Sequence, residues 1–171
     1  IYECGCNDSE ENYTCDGTFN PETKAALQTA VDLWVSNNES ALSTYGEIND
    51  WDVSLITDMS DLFKERSTFN EDISNWDVSS VTNMNVMFYQ ATSFNQDLSG
   101  WNVSSVIEMQ SMFSHATSFN GDISTWDVSS VTNMQFMFKE ASSFNQDLSD
   151  WNVSKVEDMS SMFYNAYSFN G

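Results

Sequence analysis

Basic side chains are scarce. Only five of the 171 residues are Lys or Arg, against 26 Asp and Glu, which gives a formal net charge of -21. That excludes the clustered positive charge that nucleic acid and anionic membrane surfaces reward. It leaves a surface that repels its own copies unless cations intervene. No run approaches the roughly 18 apolar residues of a transmembrane helix. Histidine occurs once, as His115, so no histidine cluster can hold a metal. There is no glycine-rich phosphate loop and no Gly-x-Ser-x-Gly nucleophile motif, so an enzyme is not expected. Cysteine stops early, with Cys4, Cys6 and Cys15 and none after them. These three predict a small disulfide-stapled N-terminus in an oxidising compartment. One thiol is then left over, either free or bonded to a neighbouring chain. A metal on Cys4-x-Cys6 is the weaker reading, because no fourth ligand is nearby. The chain opens on Ile1 rather than Met, so the missing leader says nothing about location.

What is present is apolar and periodic. Hydrophobic residues make up 40%, with twelve Phe and six Trp, too many for a disordered acidic tail. "NPETKAALQTAVDLWVSN" predicts a helix with Asn20 as N-cap, Pro21 at the first helical position and Glu22 in the first turn. Ala26, Leu27, Ala30, Val31 and Trp34 would form its apolar face and cover the open end of the next segment.

From Glu47 the chain repeats every 25 residues. Trp51, Trp76, Trp101, Trp126 and Trp151 mark the period, as do the Phe63 and Phe69 series and a Met series from Met59. Within the second unit the β-branched stretch Trp76 to Val81 predicts a short strand. Met84, Met87, Phe88 and Ala91 follow helical spacing and predict about two turns of helix. One such unit cannot bury both faces, so stacked units would share a core of Trp, Val, Met and Phe. Paired strands would set units about 4.8 Å apart.

The stretches "WDVSSVTNMNVMFYQATSFN" (76–95), "WNVSSVIEMQSMFSHATSFN" (101–120), "WDVSSVTNMQFMFKEASSFN" (126–145) and "WNVSKVEDMSSMFYNAYSFN" (151–170) resemble the bacterial-surface-protein-A-like leucine-rich repeats. These occur as a domain of unknown function in mycoplasma lipoproteins and algal surface proteins. The first copy, residues 51–70, departs by placing Arg66 where the others have Ala. The fold expected is an α/β solenoid, a leucine-rich-repeat-like right-handed stack of strand–turn–short-helix units with a helical, disulfide-stapled N-terminal cap. Residues 1–46 would be the cap and 47–171 the five repeats. The resemblance implies a secreted or cell-surface protein acting in adhesion or as a structural scaffold through protein contacts, and it implies no catalytic residues. The alternative is a subunit that assembles head-to-tail into an extracellular filament or coat, a neighbour covering the unit that ends in "YSFNG". A continuation of the same chain would explain that ending equally well.

Stacking also aligns polar residues. One row is Asn70, Asn95, Asn120, Asn145 and Asn170, and another is Ser54, Ser79, Ser104, Ser129 and Ser154. A third is Asp72, Asp97, Asp122 and Asp147, a candidate row for calcium. The favoured role for all three is to satisfy backbone N–H groups in turns. Carboxylates about 5 Å apart repel by roughly 3 kcal/mol at an effective dielectric of about 20, so calcium is the alternative for the Asp row, and no other cofactor is expected. Asn7, Asn12, Asn38, Asn102 and Asn152 stand in sequons and are candidates for N-glycans. Units alternate between "DIS" with "WDVS" and "DLS" with "WNVS", a duplicated 50-residue pair that places sequons in alternate units. Residues that vary between units form the candidate contact face for other proteins or for copies of this chain. In the third unit they are Gly100, Glu108, Gln110, Ser111, Ser114 and His115.

Overall fold

The structure, a computed structural model, describes residues 17–170. Cys4, Cys6, Cys15, Asn7 and Asn12 lie outside the described residues, and the expected disulfide staple with them. No helix of the described residues is long and apolar enough to cross a membrane.

Helix α1 (Lys24–Ser36) starts at Thr23, whose Oγ1 accepts the Ala26 N–H at 3.2 Å. The expected cap, Asn20, is engaged elsewhere, its Nδ2 donating to the Asp52 carbonyl at 2.9 Å. The apolar face is nearly as expected: Leu27, Ala30, Val31 and Trp34 are buried, and Ala26 is half-buried. Asn37 ends α1 and caps α2 (Asn38–Tyr45), its Oδ1 accepting the Ser40 N–H at 3.1 Å. The sequence holds no sign of α2, because Ala41 is its only buried residue and no apolar stripe results. Gly46, at φ 74°, ends it.

Beyond a 3-10 turn at Ile48–Asp50, the described chain contains no helix and no strand, only isolated bridges. The expected α/β solenoid of strands and short helices, and the leucine-rich-repeat architecture with it, is therefore not formed. Each unit is instead a succession of turns. It pairs with the next through single parallel bridges, Asp58 to Asn83, Asn83 to Glu108, Glu108 to Asn133 and Asn133 to Asp158.

The reason lies in the backbone at two positions per unit. Val86 and Gln90 have φ of 63° and 57°, and a left-handed residue every fourth position interrupts an α-helix. The N–H groups then divide between two sets of partners. Met87, Tyr89 and Ala91 donate three residues back, to Met84, Val86 and Phe88, at 3.3, 3.1 and 3.0 Å. Met84, Val86, Phe88 and Gln90 donate into the next unit, to the carbonyls of Glu108, Gln110, Met112 and Ser114, at 2.9, 2.8, 2.9 and 2.9 Å. In an α-helix these groups would bond four residues back and none would hold a neighbour. A run of short turns also spaces apolar residues by three and four, so the periodicity fits both. The Trp76–Val81 stretch turns as well, the Val81 N–H donating to Val78 at 2.9 Å.

The core runs along the stack as columns of like rings. Phe63, Phe88, Phe113, Phe138 and Phe163 stack at 5.2, 5.4, 5.7 and 5.6 Å between centroids. Phe69 to Phe169 form a second column, whose first step is 5.9 Å, and Trp101, Trp126 and Trp151 step by 6.5 Å. These steps exceed the strand spacing expected for the units. From Trp76 on, each indole N–H of the column also ties two units together: Trp101 Nε1 donates to Ile73 at 3.1 Å and Trp126 Nε1 to Leu98 at 2.9 Å.

The two helices close the first unit. Trp34 meets Trp51 edge-on at 5.7 Å, and Gln28 Nε2 donates to the Leu62 carbonyl at 3.1 Å. Lys24 pairs with Asp58 at 3.3 Å, and Arg66 pairs with Asp32 of α1. The Arg that breaks the repeat at the Ala position thus serves the cap.

Candidate contact face

The left-handed positions form two columns. One is Asp61, Val86, Ser111, Phe136 and Ser161, and the other is Glu65, Gln90, His115, Glu140 and Asn165. None of the ten is buried. Their side chains change from unit to unit while the backbone bonds and rings beneath them repeat. Between them runs a third variable column: Lys64, Tyr89, Ser114, Lys139 and Tyr164.

These columns join into one face across units. Lys139 Nζ lies 5.6 Å from the Phe136 ring centre and 5.8 Å from that of Tyr164, within cation–π range. His115 packs edge-on against Tyr89 at 5.5 Å, and its Nδ1 lies 3.1 Å from Glu140 Oε2. Beside them Gln110 Nε2 donates to Gln135 Oε1 at 3.1 Å, and Gln135 Nε2 donates to Ser160 Oγ at 3.0 Å.

Of the six residues expected here, Gln110, Ser111 and His115 come together. Ser114 is buried at 2% exposure, Glu108 is a bridge residue, and Gly100 stands in the separate turn ahead of Trp101. Sequence reasoning missed Tyr89, Phe136, Lys139 and Tyr164. The available signal was aromatic and basic side chains standing at positions where other units carry Ser or Asp.

The polar rows serve the turns. Asn95, Asn120, Asn145 and Asn170 each donate their backbone N–H to the Asn Oδ1 one unit earlier, at 2.8, 2.7, 2.8 and 2.9 Å. Asp72, Asp97, Asp122 and Asp147 each accept the N–H of the Ser two residues on, at 2.9 Å. The Ser row acts through both backbone and hydroxyl: the Ser79 and Ser129 N–H groups donate to Asp77 and Asp127 at 3.0 Å. The Ser79 and Ser129 hydroxyls, then their N–H groups, hold the Asp77 and Asp127 carboxyls below the usual range. The Ser124 and Ser149 N–H groups, then their hydroxyls, do the same for Asp122 and Asp147. At Asp58 burial pushes upward, but the Ser60 N–H and hydroxyl and the Lys24 charge together bring the carboxyl down. Among the described residues no three His, Cys, Asp or Glu side chains gather to hold a metal ion.

Asn38, Asn102 and Asn152 are exposed. Asn102 Oδ1 accepts the Ser104 N–H at 3.2 Å and the Ser104 hydroxyl at 2.7 Å, the same turn that Asp77 makes one unit earlier.

A family model described as a Mycoplasma protein of unknown function, DUF285, matches residues 31–124 and again 100–171. The chain belongs to the DUF285 family. The second DUF285 match contains neither helix, so the family pattern is carried by the turn units. The first takes in α2 and the end of α1 as well. No curated protein and no solved structure matches the chain.

Proposed function

We propose that this DUF285 chain is a non-enzymatic, extracellular protein-contact module, a scaffold whose variable turn face binds other proteins. One observation carries the reading: side chains change freely at the left-handed turn positions and at the column between them, while the N–H ladder, the Asn row and the ring columns repeat. A surface free to vary on an invariant frame suits recognition. The face carries aromatic rings, the residues enriched at contact centres, within an acidic molecule. The likeness of the units to bacterial-surface-protein-A-like arrays supports display outside the cell, and so do the exposed sequons. N-glycans at Asn38, Asn102 and Asn152 belong to the same proposal. Intact mass before and after glycosidase treatment of material from the native source tests them.

The face itself is tested with beads carrying the purified chain and a panel of extracellular-matrix proteins. Binding to at least one panel member should fall about tenfold when Tyr89, Phe136 and Tyr164 are changed together to Ser. A folded triple variant that binds as the parent does, or a parent that binds none of the panel, would count against the proposal.

A further inference from the structure

One Asn inside the row is chemically unlike its neighbours. Asn70, Asn95 and Asn145 are followed by Glu71, Gln96 and Gln146, whereas Asn120 is followed by Gly121. Packing demands that glycine, since a Cβ there would stand 2.1 Å from the Gln96 carbonyl oxygen. The same absence of a side chain leaves the peptide nitrogen between the two residues unshielded. The Gly121 N–H has no hydrogen-bond partner among the described residues. Asn120 is exposed, so a group leaving its amide can escape to solvent. Its Oδ1 accepts the Asn145 N–H at 2.8 Å. That donor polarises Cγ and would stabilise an oxyanion formed there. Asn170 is also followed by glycine, but Gly171 lies outside the described residues.

We propose that Asn120–Gly121 is a site of spontaneous modification, converting through a cyclic imide to aspartate and isoaspartate. The Gly121 nitrogen gives up its proton to solvent and bonds to Asn120 Cγ. The Cγ–Nδ2 bond breaks, and Nδ2 takes a proton from water and leaves as ammonia. Water then opens the imide. Attack at Cγ gives aspartate at position 120, and attack at the main-chain carbonyl carbon gives isoaspartate. The net change is one water taken up and one ammonia lost, with no oxidant, metal or enzyme.

The two products differ in what they do to the stack. Aspartate keeps the backbone length, and its carboxylate can still accept the Asn145 N–H. Isoaspartate carries the chain through Cβ and Cγ and so lengthens the backbone, at a point with no room for a Cβ on Gly121. It also turns the Asn120 carbonyl, which accepts Gln146 Nε2 at 2.7 Å, into a free carboxylate. The rungs on both sides are disturbed: the Asn120 N–H on Asn95 Oδ1, at 2.7 Å, and the Asn145 N–H on Asn120 Oδ1. The site is thus a clock set into the junctions of the third unit. It lies inside the stack and is independent of the variable face.

The test ages the purified 171-residue chain in mildly alkaline buffer at body temperature. Peptide mapping with isoaspartyl methyltransferase labelling follows each Asn. In the folded chain Asn120 should convert at least about tenfold faster than Asn70, Asn95 and Asn145. The fraction carrying isoaspartate should melt several degrees lower than the fresh chain, and its amides at positions 120 and 145 should exchange about tenfold faster. Asn120→Asp, which has the charge of the product without the longer backbone, should melt as the parent does. Three results would each overturn the proposal. One is conversion of Asn120 no faster than that of Asn95. Another is conversion that occurs in urea and not in the folded chain. The third is an isoaspartate form that melts and exchanges as the fresh chain does.

Discussion

Among the described residues, ten non-glycine positions with positive φ set the local chemistry. Each L residue there costs about 1–2 kcal/mol relative to right-handed backbone. The cost is sustained because the turn aims every second N–H at the next unit. Ser161, at φ 54° and exposed, is the position where that cost is most directly read. Ser161→Gly should raise the free energy of unfolding by about 0.5–1 kcal/mol in urea titrations, and Ser161→Val should lower it. Gly121 makes a different demand. A Cβ on it would stand 2.1 Å from the Gln96 carbonyl oxygen and 3.0 Å from Phe119 Cε2. Gly121→Ala should cost about 1–3 kcal/mol, read as a drop in urea midpoint. Gln96 and Gln146, at the same position in alternate units, instead reach back to the carbonyls of Asn70 and Asn120, both at 2.7 Å. At this crowded point Gln96 and Gln146 alternate with Glu71 and Gly121, as Asn alternates with Asp after Trp from Trp76 on.

The turn unit is the element from which the stack is built, and its Asp-x-Ser corners make it sensitive to acid. The folded carboxyls of Asp77 and Asp127 sit below their ordinary value because Ser79 and Ser129 hydrogen-bond to the charged form. A lowered folded pKa contributes stability that is full above the unfolded value and is lost as pH falls through the folded one. Asn102 and Asn152 show that the corner also folds with a neutral amide. The double variant Asp77→Asn, Asp127→Asn should therefore lose less stability than the parent between about pH 5 and about pH 3. Equal losses in thermal melts would refute the assignment. Between units, the buried bond from Trp101 Nε1 to the Ile73 carbonyl should show in Trp101→Phe. The Ile73 carbonyl keeps the Trp76 N–H at 3.2 Å, so the lost indole bond should cost about 0.5–1.5 kcal/mol in urea titrations. Rows and ring columns were legible in the sequence because they recur at one fixed step. The turn backbone was not, since no glycine or asparagine series marks the left-handed positions, where Val86 and Phe136 stand among Asp and Ser.

At the scale of the molecule, a charge of -21 is a standing repulsion. The Asp row finds its partners in its own turns, so general screening rather than a bound cation should relieve that repulsion. Raising NaCl from about 20 mM to about 200 mM should raise the melting temperature, and CaCl₂ at matched ionic strength should do no more. A specific calcium effect, reversed by EDTA, would restore the metal reading of Asp72, Asp97, Asp122 and Asp147. Two of the five basic residues, Lys24 and Arg66, pair across the junction of α1 and the first unit, so the cap is held partly by charge. Arg66 was visible in the sequence only as a departure from Ala. Its partner, Asp32, lies 34 residues away and could be found only in three dimensions.

The sequence by itself determined the period, the residues of the core columns, the amphipathic face of α1 and the excess of negative charge. Each of these is a repeated or summed property of side chains along the chain. The tertiary structure alone decided that the units are built of turns rather than strands and helices, because that choice depends on where each N–H finds its acceptor. Half of those acceptors in the turn segment lie in the next unit, 24 residues further on. No local spacing of apolar residues records them.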